Sequence, residues 1–377
     1  MKDVVSIFIE VLTDYLKGNY LKKKSVSSGW CVADTRYFAK GIVRLNEIFT
    51  FERSERRRNY FDDPVLRSGY LAYFLPINAI KTSTLCGQHD LCHEVPQKLV
   101  VSDLGAGPLT MSLGFLFSLI EKMSVRHQPV HVTVHAFEQN KKILADGVSL
   151  LRAFLEAVSA KSMGLTVEVV PYAIDLARGR LPRVLSDVIL VGNLLNELGR
   201  RDAQQLVLAR MLDSLCQKKF LLLMLEPAHK KISRDLQSLR DYLIQRFSLN
   251  VVGPCLHSLA CPLNQVNKRD WCHQRLIWDV PELIRDFDRL TKLKKVYLQY
   301  SYLLLRPDRV AGERSADTFL AITDVMLVGR QKELVACSRG GLYRFVLPAA
   351  TSQPRFSQLR RGDTFSPMPH VIMHKVV

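Results

Sequence analysis

Three cysteines stand close together in a 377-residue chain, in Pro254-Cys255-Leu256-His257, Ala260-Cys261-Pro262-Leu263 and Asp270-Trp271-Cys272-His273. A fourth, Cys337, lies far downstream in Val335-Ala336-Cys337-Ser338. In a reducing compartment such a group is poorly explained by disulfides. Thiolates bind soft metals, and four of them complete either a tetrahedral zinc site or a cubane iron–sulfur cluster. Zinc sites usually use two tight Cys-x-x-Cys knuckles, which this group lacks, and its wide spacing suits a cluster that needs more room than one ion. His257 and His273 keep zinc open, since either can replace a thiolate, and buried structural thiols are the plain alternative. A second group, Cys86, His89, Cys92 and His93, has ligand types for zinc but a spacing that matches no compact zinc module.

The second piece of chemistry is a glycine turn, Val100-Val101-Ser102-Asp103-Leu104-Gly105-Ala106-Gly107-Pro108. Gly105 and Gly107 let the backbone turn tightly and approach a ligand with no Cβ in the way. Pro108 suits a helix's first turn, where no amide hydrogen is needed. The pattern lacks the third glycine of a dinucleotide fingerprint and the Gly-Lys-Ser/Thr ending of a P-loop. A site for the amino-acid end of S-adenosylmethionine is therefore favoured over a pyrophosphate cradle, with Asp103, Gly105, Ala106 and Gly107 as its residues. Glu138, just after the next strand, is placed to accept hydrogen bonds from both hydroxyls of a ribose.

A third segment, Gly192-Asn193-Leu194-Leu195-Asn196-Glu197-Leu198, follows the fourth strand, whose end faces the methyl group in this type of fold. Amino-methyltransferases of nucleic acids usually carry an Asn/Asp-Pro-Pro-aromatic quartet there, and this chain has neither the proline pair nor the aromatic. Asn193, Asn196 and Glu197 are the candidate catalytic contacts, with Asn193 also a cofactor contact; the alternative is that they cap the next helix. Cofactor binding is better supported than catalysis.

These residues need strands and turns to position them. Residues 1–97 read as a helical region, including a face of Leu66, Tyr70, Tyr73 and Phe74. From Lys98 strands alternate with helices, the signature of a parallel α/β sheet. Strands are predicted at 98–102, 131–137, 166–172, 187–191 and 220–225, with helices at 109–122, 140–158 and 202–217. The fold class is thus α/β, a Rossmann-like class I S-adenosylmethionine-dependent methyltransferase core over residues 98–250. A Cys-rich region with a basic helix at 281–298 and short strands fills 251–377.

The net charge of +17 points to a polyanion, nucleic acid before an acidic protein or membrane surface. Basic residues cluster at Lys22–Lys24, at Arg53 and Arg56–Arg58, at Lys292, Lys294 and Lys295, and at Arg355, Arg360 and Arg361. No apolar run reaches the ~20 residues of a membrane span. The first helix carries Asp3, Glu10 and Asp14, unlike a targeting peptide, so the cytosol is the default and the mitochondrial matrix the alternative. A monomer is expected.

Taken together the chain resembles the methyltransferase-like small-subunit ribosomal assembly factors of mitochondria and bacteria. The matching features run over about residues 60–365: the Asp103–Pro108 turn, Asn193–Leu198, Leu225-Glu226-Pro227, the three cysteine segments, and Arg360–Asp363. The resemblance implies a [4Fe–4S] cluster on Cys255, Cys261, Cys272 and Cys337, and binding to small-subunit ribosomal RNA in the assembling small subunit. One departure is that family members typically carry a glycine after the Glu-Pro pair, where this chain has Ala228 and His229. The competing reading is an active S-adenosylmethionine-dependent rRNA methyltransferase. A radical adenosylmethionine enzyme fails on spacing, because it places cysteines as Cys-x-x-x-Cys-x-x-Cys.

Overall fold

Apolar residues three and four apart build the N-terminal helices. In the computed structural model, α1 (Lys2–Tyr20) buries Val4, Phe8, Leu12 and Leu16, and α2 (Val32–Thr50) buries Phe38, Ile42, Leu45 and Ile48. The structure describes residues 2–21, 32–50, 60–123, 128–308, 315 and 317–376. The basic clusters at Lys22–Lys24 and at Arg53 and Arg56–Arg58 lie outside these residues, as does Cys31.

Helix α3 (Pro64–Gly69) starts where the Asp63 side chain accepts from the Val65 amide at 2.8 Å. It runs into one π-helical turn, Tyr70–Phe74, before α4 (Leu75–Gln88). The single helical face expected over this stretch is therefore interrupted. Pro76 explains it: its ring has no amide hydrogen and crowds the carbonyl four residues back, so the Leu75 amide reaches five back to Tyr70.

The α/β pattern follows as β1 (Lys98–Leu104), α5 (Thr110–Met123), β2 (Val130–Glu138), α6 (Lys141–Ala157), β3 (Leu165–Ala173) and β4 (Ser186–Gly192). It continues with α7 (Arg201–Leu215), β5 (Cys216–Pro227), α8 (Lys230–Phe247), β6 (Asn250–Gly253), α9 (Pro262–Val266), β7 (Gln274–Ile277), α10 (Glu282–Thr291) and β8 (Tyr297–Arg306). The rest is β9 (Phe319–Ala321), β10 (Met326–Val328), β11 (Gln331–Ser338), β12 (Gly341–Pro348), α11 (Pro354–Gln358), β13 (Thr364–Phe365) and β14 (Ile372–Val376).

Two units form. The first comprises residues 1–192 and 277–298, the second residues 193–276 and 299–377. In the first, four parallel strands lie in the order β3-β2-β1-β4, and α5 is apolar nearly all round, as a helix buried against a sheet must be. In the second, β5 pairs antiparallel with β8, which pairs with β6 and β7. The parallel 3-2-1-4 set with intervening helices is the α/β arrangement that the alternation of strands and helices predicts. The second unit also holds a smaller antiparallel sheet, β13-β9-β11-β12-β14, with β10 on β11, around Phe319, Phe345, Phe356 and Phe365.

The basic helix is shorter than its expected 281–298. It stops at Thr291, with Lys292 left-handed at φ +59. The Asp288 carboxylate accepts the Lys295 amide at 2.7 Å and the Trp278 indole donates to the Lys295 carbonyl at 2.8 Å, turning the chain back.

Candidate cofactor turn and cysteine site

The turn after β1 has the backbone its glycines predict. Gly105 and Gly107 are left-handed, at φ +69 and +52, where a side chain is strained. The Gly105 and Ala106 amides both donate to the Phe137 carbonyl, at 2.9 and 3.0 Å, which ties the turn to the end of β2. A Cβ built on Gly107 meets nothing within 4 Å, so this edge faces open space. Pro108 lies outside the helix, because Leu109 is also left-handed and α5 begins at Thr110.

Asp103 is fully buried and serves the helix. One carboxylate oxygen accepts from the Ser112 amide at 3.1 Å and its hydroxyl at 2.6 Å, satisfying a free donor of the first turn of α5. Burial nevertheless outweighs these bonds and pushes its carboxyl up to about 6. Glu138 is buried too, and its carboxylate accepts backbone amides from Gly107 at 3.1 Å and Asn140 at 2.8 Å, with the Gln139 amide as a third partner. Burial raises its carboxyl above the usual range despite those bonds. A carboxylate offers about four lone-pair sites, so about one remains for a hydroxyl. Asn140 caps α6 through the amides of Lys142 and Ile143.

In the second unit, Asn193 is left-handed at φ +55, and its amide donates to the Leu225 carbonyl at 2.8 Å. Fully buried Glu226 accepts the amides of Leu194 and Leu195 at 2.9 and 3.0 Å, which fixes the turn carrying Asn196 and Glu197. None of the three candidates caps α7, whose cap position is Arg200 with no side-chain bond. Ala228 does not have a left-handed backbone, and the His229 amide closes onto the Pro227 carbonyl at 2.8 Å.

Cys261, Cys272 and Cys337 are buried in one apolar cluster with Leu263, Leu320, Ile322 and Leu342, while Cys255 is half-buried. Register on β11 sets Cys337 between Leu320 and Leu342. The Cys261 amide donates to Asp241 at 3.0 Å, and the Cys272 carbonyl accepts the Ser301 hydroxyl at 2.9 Å. Burial, then the charge of Cys255, pushes the Cys261 thiol up to about 11, and the same two causes raise Cys272 and Cys337. The four sulfurs are thus electrostatic neighbours. Among the described residues no group of three or more His, Cys, Asp or Glu side chains converges as a metal-ion site.

Both histidines beside the cysteines are driven neutral. Burial and then the Arg240 charge push His257 down to about 4; burial and then Arg361 do the same to His273. The other Cys–His group does not gather: Cys86 and Cys92 are buried beside each other, and His93 is exposed. Sequence reasoning gave no role to Glu226, Trp271 or Arg240, and read Arg361 only as part of a basic cluster. The Trp271 indole donates to the Ala228 carbonyl at 2.8 Å and stacks on His273, so the Asp-Trp-Cys-His segment is pinned beside the turn after β5.

Residues 131–317, just under half of the chain, match the model of a family described as mitochondrial small ribosomal subunit Rsm22. The resemblance to methyltransferase-like small-subunit factors is shown by that match, which includes Cys255, Cys261 and Cys272. No match was found among curated proteins. Among solved structures, the plantazolicin methyltransferase BpumL in complex with SAH is 9% identical, with 73% of this chain and 98% of that one covered and a TM-score of 0.34. The N-methyltransferase NodS from Bradyrhizobium japonicum is 10% identical, with 62% and 97% covered and a TM-score of 0.32. Precorrin-6y C5,15-methyltransferase from Geobacter metallireducens is 12% identical, with 59% and 88% covered and a TM-score of 0.30.

Proposed function

We propose that this chain, whose residues 131–317 match the Rsm22 family, is a small-ribosomal-subunit assembly factor that contacts rRNA and uses S-adenosylmethionine and a [4Fe–4S] cluster as bound groups. The observation that carries the reading is the burial of Cys261, Cys272 and Cys337 in one apolar cluster, with half-buried Cys255 close enough to raise the thiols of all three. An all-sulfur donor set without tight Cys-x-x-Cys knuckles suits a cluster, and the neutral histidines leave zinc as the alternative. Cys255, Cys261, Cys272 and Cys337 would hold the cluster, which would supply a rigid cross-link between the Cys-rich loop and β11.

For S-adenosylmethionine, which would supply a methyl group on its sulfonium, the fit rests on the open edge of Gly107 and the spare acceptor capacity of Glu138. Gly105 and Ala106 would bound the amino-acid end, with Asp103 holding the first turn of α5 in place. The charge of +17 supports RNA contact, and the family's mitochondrial label favours the matrix over the cytosol. No described helix is long and apolar enough to cross a membrane.

One observation favours methyl transfer to rRNA as the second reading: Asn193 holds a strained left-handed backbone at the end of β4, and such strain clusters at active sites. Cosedimentation tests the leading proposal. Anaerobically purified protein is expected to travel with small-subunit precursors and not with large subunits, and equal binding to both would overturn it. Transfer of labelled methyl from S-adenosylmethionine into those precursors, lost in Asn193→Ala, would establish the second reading.

A further inference from the structure

Arg240 on α8 is completely buried, an expensive place for a guanidinium unless it is paired and hydrogen-bonded. It donates to the His257 carbonyl at 2.5 Å, the Leu259 carbonyl at 2.9 Å, and the Asp241 carboxylate. Its Nε has no partner among the described residues. One side chain therefore braces the loop between β6 and α9 that carries Cys255 and Cys261. Among the described residues the carboxylate paired with it is Asp241, which is 31% exposed and also accepts the Cys261 amide, so part of its charge is turned to solvent. Its electrostatic partners also include Cys255 and Cys261, and its charge reaches Cys272 and Cys337.

A loop that needed only donors for its carbonyls would be served by a neutral amide, which costs far less to bury. A permanent cation is justified where negative charge collects nearby. We propose that Arg240 is the fixed counter-charge of an anionic, thiolate-held cluster at Cys255, Cys261, Cys272 and Cys337, and a positioning residue for the first two. Arg361 supplies a second cation on the Cys272 side, donating to the Trp271 carbonyl at 3.2 Å and meeting His273 Nδ1 at 3.3 Å. The inference rests on the cluster reading given above.

The test uses the full chain, loaded anaerobically with iron and sulfide, and follows iron loss to a chelator together with the visible spectrum. Arg240→Met is expected to lose iron roughly 10–100-fold faster than wild type, the usual effect of removing an outer partner of a metal ligand. Arg240→Lys, which keeps the charge and loses the fork of donors, is expected to retain most of that stability. Iron loss from the Met variant at the wild-type rate overturns the proposal, as does a Lys variant as weak as the Met variant, because bracing alone would then explain the residue. If Arg240→Met does not fold, Arg361→Met makes the comparison from the half-buried side, and wild-type retention there also overturns it. Wild-type protein that takes up no iron would instead overturn the cluster reading itself.

Discussion

Lys81 shows how burial and like charge combine at a single residue. It sits half-buried on α4, and its ammonium donates to the Asn78 side-chain oxygen at 3.0 Å. Burial first, then the neighbouring Lys295 charge, pushes it down to about 7. In the unfolded chain it titrates at about 10.4, so between these values the folded state binds fewer protons and stability rises with pH. Below about pH 7 the cost is complete. Lys81→Met is therefore expected to melt at a higher temperature than wild type at neutral pH, with the gap closing toward about pH 10. Thermal melts across that range check it, and a gap independent of pH would contradict it. Gly107→Val makes a different claim: the left-handed backbone costs about 1–2 kcal/mol for a side chain, the new atoms enter open space, and the fold should survive. Titration calorimetry is expected to show S-adenosylmethionine binding in wild type and none in the variant; equal heats would remove the cofactor from this turn. Both glycines were legible because only glycine suits such a turn. Arg240 was not, since one arginine among 53 basic residues carries no signal until the fold buries it, and Arg361 was legible only as part of a basic cluster.

At the scale of elements, period and punctuation located the strands of the core within a residue or two, apart from β5, which starts earlier. The central strands β1 and β4 are mostly buried and read as apolar runs, whereas β3 alternates exposed and half-buried residues. Helix ends were harder. Lys292 and Lys294 read as helical by composition, whereas the Asp288 carboxylate captures the Lys295 amide and ends α10 early. Pro76 was the available sign of the π turn, but its effect depends on Leu75 finding Tyr70. Close packing of α4 on α5 depends on Gly114, where a Cβ would stand 2.3 Å from the Ala79 carbonyl oxygen and 2.5 Å from Thr82 Cβ. Because backbone cannot step aside as a side chain can, Gly114→Ala is expected to destabilise by about 1–3 kcal/mol or more. Urea unfolding measures this, and an unchanged midpoint would mean that the helices separate freely.

For the whole molecule, charge is the property that sequence reads most directly and structure locates least. If phosphate contacts dominate, log affinity for small-subunit rRNA falls linearly with log salt, and a flat response would sink the RNA reading. The class of fold was legible because strand order follows from alternation and a glycine turn. The membership of Cys337 in the cysteine site was not, since nothing in its spacing joins it to residues 255–272; the resemblance supplied it, and the antiparallel pairing of β11 buries it with Cys261 and Cys272. Cys337 therefore offers the most direct test of the central claim. Protein purified without oxygen should contain about four iron and four sulfide per chain, as the cubane requires, and Cys337→Ser should lose most of both while Cys86→Ser and Cys216→Ser keep them. Wild-type protein with stoichiometric zinc and no iron, or with neither metal, would contradict the account.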